Sequence, residues 1–101
     1  MNSKMLTLLG FAAKAGRLCY GMDTTVAAVK GGKARLVITA ADISEKSRKE
    51  ILFYRAKFNT EVILSDISIE QLSHAVGKRC GIISVNDEGF AKAIMNLAKN
   101  N

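Results

Sequence analysis

The sequence predicts an α/β protein, a three-layer α/β/α sandwich around a four-stranded mixed sheet. The first observation is that apolar residues at helical spacing alternate with short apolar runs along the chain. The second is that two of these runs, residues 34–40 and 80–86, suit strands that are covered on both faces. The third is the length of 101 residues, which fits one domain with one ordinary core. We therefore interpret residues 1–101 as a single domain.

The first half of the chain predicts a helix, a strand, a second helix and a second strand. Apolar spacing predicts a helix over residues 4–15, and Gly16 is a natural C-terminal stop. A short strand follows at residues 18–20, and the second helix ends at the two glycines of residues 31–32. The second strand covers residues 34–40. Three residues can supply the N-terminal cap of the second helix: Asp23, Thr24 and Thr25.

The second half continues the alternation of helix and strand. Ser44 predicts the cap of an outward-facing helix, and residues 61–65 predict the third strand. Ser68 and Gln71 have the spacing of a capping box, which predicts a fourth helix. The fourth strand covers residues 80–86. A final helix follows it, with Asn86 or Asp87 as the cap and with an apolar face of Phe90, Ile94 and Leu97.

The chain carries a formal net charge of +6, and the excess is unevenly distributed. Residues 1–35 contain six lysine and arginine side chains against one acid, Asp23. Residues 46–57 contain five more against Glu50. A small basic domain favours an anionic partner, of which nucleic acid is the commonest. The alternative is a surplus of solvated lysine with no ligand.

Patterns typical of enzymes, metal sites and cofactor sites are missing from the sequence. His74 is the one histidine, and Cys19 and Cys80 form no CxxC pair. We therefore expect no enzymatic activity, no metal and no cofactor, and keep a small enzyme using Cys19, Cys80 or His74 as an alternative. Free cysteines in apolar surroundings, without a predicted signal peptide or membrane span, favour a cytoplasmic protein with no membrane partner.

Several motifs together resemble one family. The segment 32–38, Gly-Lys-Ala-Arg-Leu-Val-Ile, resembles the G-K-A-x-L-V-I signature of the kink-turn-binding ribosomal proteins, the L-seven-Ae/L-thirty-e superfamily. Residues 40–42 are similar to the A-x-D that follows, and residues 72–77 to its L-G-x-A-x-G, with Ser73 in place of the first glycine. The opening segment, residues 8–18, resembles the short bacterial YlxQ-like branch. The resemblance covers the chain from end to end and implies an α/β/α sandwich that binds RNA as a single RNA-binding domain.

In that family the helix after the first strand begins G-x-N-E, with a lysine three residues after the glutamate, and these residues read the sheared base pairs of a kink-turn. The chain keeps the glycine as Gly21 but has Asp23, Thr24 and Ala27 at the other three positions. An ionised aspartate only accepts hydrogen bonds, and a threonine is too short to replace a glutamate. The departures predict that RNA is held mainly through its backbone rather than by reading a kink-turn.

The resemblance and the charge together select the candidate RNA-binding residues. The basic candidates would contact phosphates, which position a protein without reading sequence. Gly21 would let backbone amides approach a phosphate at a helix N-terminus. The candidates are Lys14, Arg17, Gly21, Asp23, Thr24, Lys30, Lys33, Lys78 and Arg79.

The sequence thus predicts a non-enzymatic, monomeric RNA-binding protein of the cytoplasm. Its expected partner is structured RNA, ribosomal or kink-turn-like, with ribosomal or other proteins as further partners. The alternative is a protein-interaction module on the same fold, in which the RNA-reading loop has drifted. The changes at Asp23, Thr24 and Ala27 favour that alternative.

Overall fold

The computed structural model describes residues 2–99, and within them helices and strands alternate in the predicted order. The predicted strands 34–40, 61–65 and 80–86 are each shorter at both ends, because only the residues facing a neighbouring strand join the ladder. The elements are α1 (Asn2–Lys14), β1 (Leu18–Tyr20), α2 (Met22–Lys30), β2 (Leu36–Thr39), α3 (Glu45–Phe58), β3 (Val62–Leu64), α4 (Ile69–Val76), β4 (Ile82–Val85) and α5 (Glu88–Lys99).

The four strands form one mixed sheet in the order β1-β4-β2-β3. Strand β4 lies in the interior and is antiparallel to both of its neighbours, so that Ser84 is opposite Cys19 on one side and Val37 on the other. Strands β2 and β3 are parallel, with Ile38 opposite Ile63. Strands β1, β2 and β3 therefore all run in one direction, and β4 runs in the other.

Helices cover both faces of the sheet, which confirms the predicted three-layer α/β/α sandwich. Side chains of a strand point alternately to opposite faces. In β2, Leu36 and Ile38 pack with the larger core, to which α1, α4 and α5 contribute, whereas Val37 packs with α2 and α3. Both faces of the strand are buried, as the continuous apolar run predicted.

Local sequence signals set most helix starts. The Ser44 hydroxyl accepts a hydrogen bond from the Ser47 amide at 3.1 Å, and Ser68 and Gln71 form the predicted capping box. The Asp87 carboxylate caps α5 by accepting from the Phe90 amide at 2.8 Å, so Asp87 rather than Asn86 is the cap. No helix within residues 2–99 is long and apolar enough to span a bilayer.

Candidate nucleic-acid interface

One edge of the sheet gathers four loops that connect strands and helices. Strands β1, β2 and β3 end there and β4 begins there, because β4 is antiparallel to its neighbours. The Gly21 amide donates to the Ile82 carbonyl at 2.8 Å, and the Ala40 amide donates to the Gly81 carbonyl at 2.7 Å. We call this side of the molecule the carboxyl edge. It consists of the segments 21–24, 40–43, 65–68 and 77–81.

Gly21 directs the chain from β1 into α2 at the carboxyl edge. Its φ of 88° and ψ of 166° lie in a region that is essentially restricted to glycine. Nothing lies within 4 Å of the position that a Cβ atom would occupy, so glycine is required for its backbone conformation rather than for space. The resemblance predicted a role for Gly21 in RNA binding. Its backbone conformation explains separately why glycine is needed at this position.

Helix α2 begins without a side-chain cap among the described residues, so the prediction of a cap from Asp23, Thr24 or Thr25 is wrong. The Thr24 hydroxyl donates backwards to the Tyr20 carbonyl, and Thr25 is completely buried. The first helical hydrogen bond runs from the Thr25 amide to the Gly21 carbonyl at 3.1 Å. The amides of residues 22–24 precede that bond and have no carbonyl to bind within the helix. They are therefore available to an anion.

The three positions that depart from the family pattern all lie on the outer side of α2. Asp23, Thr24 and Ala27 are exposed. Asp23 adds a negative charge to the first turn, the Thr24 hydroxyl is already bonded to Tyr20, and Ala27 supplies no polar group. The exposed start of α2 therefore offers backbone amides but little side-chain chemistry for reading a base.

The loop of residues 77–79 is held at the carboxyl edge by Ser73. The Ser73 hydroxyl accepts from the Cys80 amide at 3.0 Å and donates to the Cys80 carbonyl at 3.2 Å. Gly77 ends α4 in the left-handed conformation, with a φ of 76°, and its amide donates to the Ser73 carbonyl at 2.9 Å. Ser73 replaces a glycine of the family motif, and here its side chain closes the loop that presents Lys78 and Arg79.

Lys78 and Arg79 are exposed, and Lys78 lies next to the end of β1. The Lys78 Nζ is 5.1 Å from the centroid of the Tyr20 ring, which is a cation–π distance. Burial raises the pKa of the Tyr20 hydroxyl, so this ring stays neutral beside the ammonium group. The cation–π pair brings the 77–79 loop to the residue that immediately precedes Gly21. Two cations and the free amides of α2 therefore share one surface.

The 40–43 and 77–81 segments are packed tightly against the start of α4. The Asp42 carboxylate accepts a hydrogen bond from the Ile69 amide at 2.7 Å, which ties the A-x-D segment to the first residue of α4. A Cβ atom on Gly81 would lie 2.9 Å from the Ile43 side chain. Asp42 thus has a structural role, and the carboxyl edge is a packed surface rather than a set of independent loops.

The nine predicted residues do not form one surface. Gly21, Asp23, Thr24, Lys78 and Arg79 lie at the carboxyl edge. The Arg17 carbonyl accepts from the Asn86 amide at 2.9 Å, which places Arg17 at the opposite edge, where β1 starts and β4 ends. Lys30 ends α2, and Lys33 lies in the turn before β2, also at that opposite edge. The sequence could not separate the two groups, because their separation depends on the antiparallel direction of β4 relative to β1 and β2.

Lys14 is intermediate between the two groups. It is exposed at the end of α1 and lines a cleft of about 470 Å³ between α1 and α4. His74 and Gly77 line the same cleft, so Lys14 lies beside the start of the 77–79 loop. Helices α1 and α4 approach closely there, since a Cβ atom on Gly10 would lie 3.2 Å from the Ala75 carbonyl oxygen.

Arg48 is a cation next to the carboxyl edge that the sequence analysis did not select. It lines a cleft of about 240 Å³ together with Ala40, Ser65 and Asp66. Its amide donates to the carbonyl of Ser44, one turn earlier, so it stands close to the start of α3. The predicted cap at Ser44 could have identified Arg48 from the sequence. Arg48 lies one turn after the cap and is therefore close to the 40–43 segment.

The residues considered for a catalytic alternative have different environments. Burial raises the pKa of the Cys80 thiol, and the nearby Lys78 ammonium only partly opposes this. The Cys19 sulfur accepts a hydrogen bond from the Asn86 side-chain amide at 3.2 Å. His74 is exposed on α4. Within residues 2–99, no cluster of three potential metal ligands is present.

An α/β/α sandwich with a cationic loop edge is the class of protein that these features define. The family model described as "Ribosomal protein L7Ae/L30e/S12e/Gadd45 family" matches residues 3–95. The chain therefore belongs to the L7Ae/L30e/S12e/Gadd45 family, and the resemblance carried by its motifs is confirmed.

Individual relatives agree with this assignment. The RNA-binding protein YlxQ of Enterococcus faecium is 30% identical over 98 residues, which cover 95% of this chain and 92% of that protein. The large ribosomal subunit protein eL30 of Candida glabrata is 30% identical over 92 residues, covering 89% and 88%. A solved structure of a protein with unknown function from Bacillus halodurans C has a TM-score of 0.90 and 32% identity, covering 95% of this chain and 97% of that one.

Proposed function

We propose that this chain is a non-enzymatic RNA-binding protein that holds structured RNA at the carboxyl edge, mainly through the phosphate backbone. The observation that carries the proposal is the position of Lys78 and Arg79 beside the uncapped start of α2. Cationic side chains and helix N-terminal amides are both phosphate ligands. The names of its relatives, an RNA-binding protein and a ribosomal protein, support RNA as the ligand.

Recognition of a kink-turn by base reading is not part of this proposal. The Thr24 hydroxyl is engaged with the Tyr20 carbonyl, and Asp23 carries a charge that phosphate repels. Hydrogen bonds to phosphates fix a protein on RNA without discriminating sequence. We therefore expect that the carboxyl edge does not distinguish a kink-turn RNA from a simple duplex of equal length.

Removal of two cations from the 77–79 loop tests the proposal. The double variant K78A/R79A should bind both RNAs more weakly, because its loop no longer neutralises phosphates and so releases fewer counterions. Titrations at about 50 mM and about 200 mM salt should show a slope of log K against log salt that is reduced by about 1 for each phosphate that is no longer bound. Anisotropy of a labelled blunt-ended RNA measures both quantities.

The double variant K30A/K33A is the charge-matched comparison, because it removes two cations from the opposite edge. Its affinity for blunt-ended RNA should stay within about a factor of two of the unmodified protein, since exposed charges distant from the ligand are screened by salt. Equal weakening in both double variants would contradict the assignment to the carboxyl edge. No binding of either RNA at low salt would contradict the function itself.

The departures at Asp23, Thr24 and Ala27 support a second candidate function, a protein-interaction module on the same fold. The two functions differ in what survives nuclease treatment. A partner retained on the immobilised chain after complete digestion of RNA is expected only of the interaction module. Release of all partners on digestion is expected of the RNA-binding protein.

The remaining expectations complete the proposal. Residues 1–101 act as a single RNA-binding domain, as a monomer in the cytoplasm, without metal, cofactor or catalytic chemistry. The raised pKa of the Cys80 thiol supports the absence of a reactive thiolate, since the thiolate is the nucleophile. Alkylation of Cys80 in the folded protein should therefore be slower than in the unfolded chain.

A further inference from the structure

A second cationic surface with exposed aromatic rings lies on α3, away from the carboxyl edge. Phe53 is 58% exposed and Phe58 is 38% exposed, which is unusual for side chains that contribute so much apolar area. The Tyr54 and Phe58 rings are stacked, with centroids 6.2 Å apart and an interplanar angle of 21°. Phe53 meets Tyr54 edge to face at 5.2 Å. The three rings form a continuous aromatic patch along the last turns of α3.

Lysine side chains lie over all three rings of this patch, of which Tyr54 also packs against the smaller core. The Lys57 Nζ lies 5.8 Å from the ring centroids of both Phe53 and Phe58. The Lys30 Nζ, which comes from the end of α2, lies 5.3 Å from the Tyr54 centroid. Lysine over an aromatic face stabilises the pair only modestly when it is exposed. The patch therefore combines an accessible π surface with positive charge.

A cleft of about 370 Å³ opens beside Phe58, between the turn that precedes β2 and the end of α3. Lys30 and Arg35 line it, together with the acid Glu61. Asn59, in the left-handed conformation, and Thr60 also line it and present side-chain donors and acceptors. A neighbouring cleft of about 240 Å³ shares Asn59, Thr60 and Glu61 and adds another cation, Arg55.

From these observations we infer that the cleft beside Phe58 binds an unpaired nucleotide of RNA, with its base stacked on the aromatic patch and its phosphates near Lys30 and Arg35. Aromatic rings that accept successive bases, flanked by cations that follow the backbone, are the combination by which proteins bind single strands. Asn59 and Thr60 can hydrogen-bond the edge of a base. The charge of the surroundings favours this occupant over an apolar protein segment. The phosphates of a nucleotide can pair with the lysines over the rings, whereas an apolar segment would bury those charges without a partner.

The inferred site rests on the proposed function and extends it, because it is physically separate from the carboxyl edge. Arg35 donates through its amide to the Val85 carbonyl at 2.9 Å, which places the cleft where β4 ends. The 77–79 loop, in contrast, shortly precedes the start of β4. An RNA with a single-stranded extension could therefore use both surfaces, whereas a blunt duplex would use only the carboxyl edge.

Anisotropy titrations with two labelled probes test the site: a uridine octamer and a blunt-ended duplex without unpaired bases. The variant Phe58→Leu keeps apolar volume but removes the π face, so it should bind the octamer at least about fivefold more weakly. It should bind the duplex as the unmodified protein does. Phe58→Tyr retains the ring and should retain octamer binding. The double variant K30A/R35A should weaken octamer binding and make that binding less dependent on salt.

The same titrations in the K78A/R79A background isolate this site from the carboxyl edge. Adding Phe58→Leu should weaken the residual octamer binding in that background by at least the same factor. Unchanged octamer affinity in Phe58→Leu, or duplex binding without any octamer binding, would overturn the inference while leaving the proposed function intact. Failure of both probes to bind the unmodified protein would instead overturn both.

Discussion

At the scale of single residues, the carboxyl edge depends on backbone conformations and hydrogen bonds that few side chains can supply. Gly21 and Gly77 both have positive φ, but their conformations differ, with ψ of 166° and 18°. The sequence placed Gly21 directly after the predicted strand of residues 18–20. It did not indicate which glycine conformation is needed, since this depends on how β1 and α2 pack.

The two glycines should respond differently to asparagine. Asparagine enters the left-handed helical region readily, and Gly77 lies there, so Gly77→Asn should cost little free energy of unfolding. Gly21→Asn should lower the free energy of unfolding by about 1–3 kcal/mol, because its conformation is essentially restricted to glycine. Urea denaturation of both variants measures the difference. Equal destabilisation would show that the two positions do not differ in this way.

At the scale of elements, the sequence predicted helix ends correctly where the capping signal lies within a few residues. The prediction failed where packing against the rest of the protein determines how the helix starts. The capping box at Ser68 and Gln71 lies within four residues and forms as predicted. The start of α2 does not use the caps that its sequence offers, since Thr25 is turned into the core and Thr24 bonds back to β1. The role of Ser73 was also beyond sequence reasoning, because its partner Cys80 is brought close only when α4 ends at Gly77.

The connection from α4 to β4 should depend on the Ser73 hydroxyl. Ser73→Ala leaves the Cys80 amide without its hydrogen-bond acceptor, so the free energy of unfolding should fall by about 1–3 kcal/mol. Hydrogen exchange of the Cys80 amide should become faster, which a general decrease in helix stability would not produce selectively. Ser73→Thr retains the hydroxyl and is the matched control. Unaltered Cys80 exchange in Ser73→Ala would refute the role of this hydrogen bond.

At the scale of the whole molecule, the fold class followed from periodicity, but the assembly of the site did not. The alternation of helices and short apolar strands predicted the three layers, because each pattern is readable within its own segment. The relative direction of the strands is not readable in that way. Lys30 and Lys33 were grouped with Lys78 and Arg79 for their charge, yet one pair precedes β2 and the other precedes β4. Because these two strands are antiparallel, the pairs lie at opposite edges. The excess positive charge of the chain is thus divided between two separate surfaces, the carboxyl edge and the opposite edge.

The central claim is that structured RNA is held at the carboxyl edge, and an amide NMR titration tests it most directly. A blunt-ended RNA duplex added at low salt to the isotope-labelled protein should shift the amides of residues 21–24 and 77–80 most strongly. Residues 30–35 and 58–61 should shift much less, because a blunt duplex has no unpaired base for the second surface. The largest shifts at those opposite-edge residues, or no shifts at saturating RNA, would contradict the account.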